Sequence, residues 1–300
     1  MMQPFDPFRP DLLAGKTTVI TGGGTGLGRA MALRMAGLGA RVAVLGRRQE
    51  PLDGTVAAIR GAGGTAAAVS CDVRDPDAVA KAFDRVESEV GPPNQVINNA
   101  AGNFLCASED LTPNGFNSVV QIVLYGTFHC TRELGRRLID AKRPGEVLSI
   151  TTNYAESGSA FVLPSAVAKA GVLALTRSLA VEWATYGIRL NAVAPGPFPT
   201  EGAFSRLMPG SEMEKQARRR IPSRRFGEHW ELTNLVAYLM SDASPYLTGD
   251  LVTIDGGEAL FSGQEFAGFA HLDRAAAKEL MASLKPRRHG EQIENGRGRE

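Results

Sequence analysis

Cysteine is scarce in this chain of 300 residues, which contains only Cys71, Cys106 and Cys130. An odd number of widely spaced cysteines without a C-x-x-C pair predicts neither a disulfide framework nor a zinc site. None of the four histidines stands at metal-ligand spacing, so we expect no metal. The three thiols are interpreted as buried side chains of a protein in a reducing compartment.

A charge excess and a long apolar run are also missing. The chain has 33 basic and 32 acidic side chains, a formal net charge of +1. This balance excludes a whole-protein field that would attract nucleic acid or an anionic membrane. No stretch reaches the ~18 apolar residues of a membrane helix, and the N-terminal residues lack the pattern of a targeting segment. We therefore expect a cytoplasmic protein with neither a nucleic-acid nor a membrane partner.

Short apolar runs alternate with longer amphipathic segments along most of the chain. Seven runs are typical of strands: 17–20, 41–45, 66–71, 95–99, 146–152, 188–194 and 251–254. Six segments are typical of helices: 26–38, 49–62, 75–90, 113–142, 164–186 and 228–241. Repeated strand–helix units predict right-handed βαβ crossovers. The expected fold class is α/β, a Rossmann-type doubly wound parallel sheet flanked by helices in a single domain.

The length of the chain is compatible with one domain or two. No linker-like break precedes residue 257, so residues 1–257 are expected to form one domain. Residues 258–300 are expected to form a C-terminal extension, helical around LDRAAAKELMASLK and disordered at PRRHGEQIENGRGRE.

A glycine cluster follows the first predicted strand and opens the first predicted helix. It reads Thr21-Gly22-Gly23-Gly24-Thr25-Gly26-Leu27-Gly28. Glycines here permit a tight turn and let backbone N–H groups approach a pyrophosphate at the helix N-terminus. A plain turn is the alternative, because turns are rich in glycine. The position between strand and helix favours a dinucleotide site formed by Gly22, Gly23, Gly24, Thr25, Gly26 and Leu27.

The second predicted strand ends in Leu45-Gly46-Arg47-Arg48, where an NAD-binding chain would carry an acid for the ribose 2′-hydroxyl. A guanidinium there can bind a 2′-phosphate, so Arg47 predicts NADP as the cofactor. A solvated arginine pair is the alternative. Four more residues follow predicted strands at their carboxyl ends, where open α/β sheets bind ligands. They are Asp72, Val73, Asn99 and Ala100, and we expect them to contact the cofactor.

Several motifs in order resemble the short-chain dehydrogenase/reductase family over residues 12–258. They are the glycine cluster, Asn-Asn-Ala-Ala-Gly at 98–102, Lys169-Ala-Gly-Val, Pro195-Gly196 with Thr200, Thr248-Gly249 and Asp255-Gly256-Gly257. The resemblance implies a Rossmann-type domain and a nicotinamide that transfers hydride. Two usual catalytic groups of that family are replaced, however, because Ser165 stands at the tyrosine of Tyr-x-x-x-Lys and Val123 at the helix asparagine. These departures argue against ordinary carbonyl reduction.

A closer resemblance is to the 2,4-dienoyl-CoA reductases of the mitochondrial type, and it rests on Asn103, Phe104, Tyr154, Ser165 and Lys169. It implies that Tyr154 and Asn103 hold the thioester oxygen as an oxyanion hole while hydride reaches the distal dienoyl carbon. Tyr154 would then protonate the α-carbon. Lys169 would bind the nicotinamide ribose, and Ser165 would order the cofactor and the tyrosine. The backbone of Pro195, Gly196, Pro197 and Phe198 would meet the carboxamide.

The implied partner is an acyl-CoA thioester. The resemblance places Arg74 and Arg206 near the CoA phosphates, and Phe104 and Thr112 complete the substrate-binding set. Each catalytic residue also has a structural alternative: Tyr154 as a packed aromatic, Asn103 as a turn residue, Ser165 as a first-turn helix residue. Lys169 is hardest to explain structurally, because an unpaired buried ammonium is costly.

Three functions follow from these patterns. The first is NADPH-dependent reduction of 2,4-dienoyl-CoA to 3-enoyl-CoA in fatty-acid β-oxidation. The alternative is a trans-2-enoyl-CoA reductase or another short-chain reductase. The third is a catalytically inactive nucleotide-sensing protein, suggested by Ser165 and Val123.

Helix 164–186 is apolar around more of its circumference than one core face requires. Together with helix 113–142 it predicts a symmetric interface, and therefore a homo-oligomer. The family resemblance implies a tetramer.

Overall fold

The computed structural model describes residues 5–200, 211–261 and 272–283. The chain forms two compact units, residues 1–259 and 260–300. The division predicted after residue 257 stays a prediction. The tail predicted to be disordered, residues 286–300, lies outside the described residues.

Seven strands of the described chain form one parallel sheet in the order β3-β2-β1-β4-β5-β6-β7. They are β1 (Thr17–Thr21), β2 (Arg41–Gly46), β3 (Ala66–Ser70), β4 (Gln95–Asn98), β5 (Gly145–Ile150), β6 (Ile188–Pro195) and β7 (Leu251–Ile254). Each lies within two residues of its predicted bounds. The predicted α/β fold with a doubly wound parallel sheet is confirmed.

Helices connect the strands as predicted, and two more follow the last strand. They are α1 (Gly26–Gly37), α2 (Gln49–Gly61), α3 (Pro76–Val90), α4 (Pro113–Val120), α5 (Gly126–Asp140), α6 (Tyr154–Ser157), α7 (Leu163–Glu182), α8 (Ser211–Arg220), α9 (His229–Leu239), α10 (Glu258–Phe261) and α11 (Arg274–Ser283). The helix predicted over 113–142 consists of α4 and α5 joined by a π-helical turn, Gln121–Tyr125. No described helix is both long enough and apolar enough to span a bilayer.

Three of these helices were not predicted. The one-turn helices α6 and α10 are too short to show a hydrophobic period. In α8 the sequence SEMEKQARRR is polar all round, so it has no apolar stripe to reveal a helix. None of the three changes the expected Rossmann-type arrangement.

The sheet is buried on both faces, which explains why its strands are largely apolar. Ile20 packs in a layer with Met31 of α1, whereas its neighbour Val19 packs in the opposite layer with Phe83 of α3. All four side chains are fully buried. Because successive strand residues point to opposite faces, a sheet covered by helices on both sides favours apolar residues at neighbouring positions.

The strand order reverses at β1. Strands β2 and β3 lie on one side of it, and β4 and the later strands lie on the other. Ile20 of β1 pairs with Ile97 of β4, so both strands end at the same level. A crevice opens outside the carboxyl ends of the strands at such a reversal, which is where ligands bind to folds of this kind.

Candidate active site

A cavity of about 800 Å³ opens at this reversal, a volume typical of cofactor sites. The glycine turn, the ends of β2 and β3 and the loop after β4 supply most of its wall. The lining residues are Gly22, Gly24, Thr25, Leu27, Gly28, Leu45, Gly46, Arg47, Arg48, Pro51, Leu52, Cys71, Asp72, Val73, Asn99, Ala100, Ala101, Ile122, Phe198 and Thr200. Most of the predicted cofactor-binding residues therefore lie around one space. Those outside this lining are Gly23, Gly26, Lys169, Pro195, Gly196 and Pro197.

The glycine turn is closed too tightly for side chains. Gly22 and Gly26 have φ values of +67° and +52°, in the left-handed region that favours glycine. A Cβ atom on Gly28 would lie 2.2 Å from the carbonyl oxygen of Gly22 and 2.6 Å from Nδ2 of Asn99. The Thr25 side chain makes no capping hydrogen bond to α1, so it does not cover the first-turn N–H groups. A helix N-terminus without obstructing side chains fits the pyrophosphate of a dinucleotide.

Thr21 joins this turn to the loop after β4. Its hydroxyl accepts the backbone N–H groups of Asn99 and Ala100, each at 2.9 Å. The Asn99 amide donates to the Thr21 carbonyl oxygen at 3.0 Å. These bonds hold two walls of the cavity in register.

The charged residues of the cavity wall come from the segments that follow β2 and β3. Arg47 and Arg48 are exposed at the end of β2, and Asp72 follows β3. Arg74 pairs with Asp72, with its Nη2 atom 2.5 Å from Oδ2. The hydrogen bond from Arg74, together with smaller contributions that include the charge of Arg47, holds the pKa of Asp72 below its usual value. Asp72 is therefore ionised at neutral pH.

The four predicted catalytic side chains come from three segments. Asn103 lies in the loop after β4, Tyr154 begins α6, and Ser165 and Lys169 are one turn apart on α7. The Tyr154 hydroxyl lies 3.5 Å from the donating Nδ2 of Asn103 and 3.1 Å from Oγ of Ser165, with which it shares a hydrogen bond. Three of the four groups thus form one hydrogen-bonded row.

Lys169 is buried at the end of β5. Its ammonium donates to the carbonyl oxygen of Ile150, and no ion pair of Lys169 is found within the described part of the chain. Burial lowers the pKa of Lys169 to about 8. An ammonium has three protons to donate, so Lys169 can also donate hydrogen bonds to oxygen atoms of a ligand.

The match to known families agrees with this geometry. The family model described as enoyl-(acyl carrier protein) reductase matches residues 22–258. A short-chain dehydrogenase of Bacillus anthracis has a solved structure with a TM-score of 0.74 and 40% identity, covering 81% of this chain and 96% of that one. The chain belongs to the short-chain dehydrogenase/reductase family. It is an oxidoreductase.

Among the relatives of this oxidoreductase, one is uncharacterized and others carry more specific names. An uncharacterized oxidoreductase of Caenorhabditis elegans is 49% identical over 267 residues, covering 87% of this chain and 85% of the relative. A probable 2,4-dienoyl-CoA reductase of the same organism, named (3E)-enoyl-CoA-producing, is 43% identical and covers 88% and 87%. One of Bacillus subtilis, named (2E)-enoyl-CoA-producing, is also 43% identical and covers 82% and 97%.

The reductase departs from the usual family pattern where the sequence indicated. Val123 is buried in the π-helical turn, and its carbonyl oxygen accepts the Thr127 hydroxyl at 2.7 Å. Ser165 is buried against Tyr154. The hydroxyl of Tyr154 therefore reaches Ser165, which occupies the usual tyrosine position, from a different segment.

The remaining predicted cofactor- and substrate-binding residues do not lie around one space. The Thr112 hydroxyl accepts the N–H of Gly115 at 3.0 Å and so caps α4. Phe104 is partly exposed beside Asn103. Gly196 and Pro197 line a smaller cavity of about 90 Å³ that also contacts Phe198. Arg206 lies outside the described residues.

The structure adds residues that sequence reasoning missed. Cys71, Ile122 and Thr200 line the main cavity. Asn153, next to Tyr154, donates to the carboxylate of Glu258 at 3.4 Å, and burial is the main reason that the pKa of Glu258 is raised. Only Thr200 had a signal in the sequence, because it belongs to the Pro195-Gly196 motif.

Proposed function

We propose that this chain reduces 2,4-dienoyl-CoA thioesters to 3-enoyl-CoA with NADPH. The main support is the hydrogen-bonded row of Asn103, Tyr154 and Ser165, which places two donors beside one another at the active site. The names of the relatives support the substrate class. Two donors suit a substrate whose thioester oxygen gains negative charge while hydride is added at a remote carbon.

The active-site side chains supply charge stabilisation and a proton. NADPH held in the main cavity would supply the hydride that the diene accepts at its distal carbon. The negative charge spreads to the thioester oxygen, where the Tyr154 hydroxyl and the Asn103 amide donate hydrogen bonds. Tyr154 then transfers its proton to the α-carbon, and Ser165 donates to the resulting phenolate.

The cofactor and CoA contacts complete the proposal. Arg47 binds the 2′-phosphate, Lys169 binds the nicotinamide ribose, and the backbone from Pro195 to Phe198 meets the carboxamide. Arg74 and Arg206 are proposed for the CoA phosphates. Phe104 and Thr112 are proposed for the rest of the thioester.

A turnover assay tests the activity. The protein is mixed with NADPH and a 2,4-dienoyl-CoA, and absorbance follows loss of NADPH and of the conjugated diene. We expect turnover, with a product that no longer absorbs as a conjugated enoyl thioester. A conjugated product would instead mean protonation at the γ-carbon. The name of the Bacillus subtilis relative describes such a product, a (2E)-enoyl-CoA.

A second candidate is a trans-2-enoyl-CoA reductase, favoured by the enoyl reductase description of the matching family model. It would use the same oxyanion contacts but receive hydride at the β-carbon. A parallel assay with 2-enoyl-CoA separates the two, because turnover of the monoenoyl ester alone contradicts our choice. No turnover of either ester would support the nucleotide-sensing alternative.

Arg47 is expected to determine the preference for NADPH over NADH. The double variant Gly46→Asp/Arg47→Ala removes a charged hydrogen bond worth ~1.5–3 kcal/mol and should lower the NADPH/NADH ratio of kcat/KM by ~10- to 150-fold. A Cβ at Gly46 meets only Leu52 at 3.4 Å, so the aspartate fits. Arg85→Ala on α3 is the matched surface control. A wild type that prefers NADH contradicts the assignment.

Lys169 is expected to make cofactor binding pH-dependent. Its pKa is about 8 without ligand, and ribose oxygens that accept its protons should raise that pKa. Binding at pH 8 should therefore take up about half a proton per site, and affinity should fall by up to about tenfold per pH unit above pH 8. Titration calorimetry of NADPH binding in buffers with different ionisation heats measures the uptake. The same uptake in Lys169→Met would exclude Lys169 as its source.

The oligomeric state and location are also part of the proposal. Apolar side chains remain exposed on adjacent helices, with Phe128 of α5 and Val167 of α7 each 44% exposed. We expect a homo-oligomer, a tetramer by family resemblance, and a mass in light scattering well above the 31.9 kDa chain. Phe128→Glu/Val167→Glu should reduce that mass, whereas a monomeric wild type contradicts the proposal. A cytoplasmic location stays a prediction.

A further inference from the structure

Asp72 presents a carboxylate to the cofactor cavity near the proposed phosphate site. It lines the cavity wall after β3, and its side chain is 31% exposed. Arg47 lines the same cavity, and its positive charge contributes to lowering the pKa of Asp72. A free carboxylate there would repel a 2′-phosphate and compete with it for Arg47.

Arg74 engages both oxygens of this carboxylate. Its Nε atom lies 2.9 Å from Oδ1 and 3.0 Å from Oδ2, and its Nη2 atom lies 2.5 Å from Oδ2. Its backbone N–H also donates to Oδ1, at 3.1 Å. A planar guanidinium suits this paired contact better than an ammonium does. Arg74 is not one of the described residues that line the cavity, so it contacts Asp72 from outside the cavity lining.

We propose that Arg74 is a specificity-determining residue that neutralises Asp72 and thereby keeps Arg47 available for the 2′-phosphate of NADPH. The inference rests on the proposed function, because it requires a phosphorylated cofactor. Arg74 acts through Asp72 and needs no contact with the phosphate itself. The role is electrostatic, so it weakens as salt screens the charges.

Binding of nucleotide fragments to the full chain tests this without turnover. Calorimetry compares 2′,5′-ADP with 5′-AMP, which differ only in the 2′-phosphate. Arg74→Gln should lower the ratio of their affinities by about 3- to 10-fold at low salt, and by less at high salt. Arg74→Lys should retain most of the ratio. Arg85→Gln, which removes an exposed arginine paired with Glu89 at 2.6 Å, should leave it unchanged.

The double variant Asp72→Asn/Arg74→Gln decides the mechanism. Removing the carboxylate should restore the ratio to within about twofold of wild type, because nothing is left to neutralise. A ratio that stays low in the double variant, or one that Arg74→Gln does not change, overturns the inference. A wild type without preference for 2′,5′-ADP instead contradicts the proposed NADPH dependence, so the two failures are distinguishable.

Discussion

Replacing Tyr154 by phenylalanine is expected to lower kcat by about 10²–10³-fold while leaving NADPH affinity nearly unchanged. The hydroxyl is the shared member of the row that joins Asn103 and Ser165, so its loss removes both an oxyanion donor and the proposed acid. The ring itself remains, and the variant should fold. Single-turnover rates with saturating NADPH measure the effect on chemistry separately from binding.

Two comparisons make the Tyr154 result specific. Tyr186→Phe changes an exposed tyrosine after α7 and should keep wild-type activity. Ser165→Ala should be less damaging than Tyr154→Phe, because Ser165 acts on the tyrosine rather than on substrate. If Ser165→Ala were the more damaging change, Tyr154 would not be the acid.

Replacing Glu146 by alanine is expected to lower the free energy of unfolding by about 3 kcal/mol, because Arg189 loses a buried counter-charge and Lys16 keeps only the exposed Asp242. Glu146 lies at the start of β5, opposite the active site along the strand, and its side chain is 8% exposed. It accepts from Lys16 at 3.1 Å and Gln95 at 3.0 Å, and Arg189 lies 3.6 Å away. These contacts join β4, β5 and β6 at the amino-terminal edge of the sheet.

Thermal unfolding measures this loss. A decrease of about 3 kcal/mol should lower Tm by roughly 6–12 °C for a domain of this size. Asp242→Ala is the matched control, because Asp242 also pairs with Lys16, at 2.7 Å, but is 83% exposed. Its loss should cost less than about 1 kcal/mol. Equal decreases in Tm for the two variants would contradict our explanation that burial makes the Glu146 contacts more stabilising than the exposed Asp242 contact.

Several site features were predictable because they depend on short-range backbone requirements. The glycine turn needs left-handed φ values at Gly22 and Gly26, and those requirements are visible in the residues themselves. The positions of Asp72 and Asn99 after buried strands followed from the parallel sheet, since carboxyl ends meet at one edge. The structure places all four residues where the sequence predicted them, in the turn or at the carboxyl edge of the sheet.

Other features depended on where distant segments pack. The predicted CoA contact of Arg74 stays a prediction, and the structure adds that its guanidinium pairs with Asp72. The predicted substrate contact of Thr112 also stays a prediction, and the structure adds that its hydroxyl caps α4. Glu258 reaches Asn153 from 105 positions away. Such pairings have no period or local spacing, so no sequence pattern reveals them.

The sequence alone determined the α/β class, the seven strands and the glycine turn, because hydrophobic period and backbone conformation are local properties. The family resemblance added the candidates Asn103, Tyr154, Ser165 and Lys169. Only the tertiary structure decided that Tyr154 meets Ser165 and that Lys169 is buried against Ile150. Side-chain contacts of this kind form when α6, α7 and β5 pack together, and packing is a property of the whole chain.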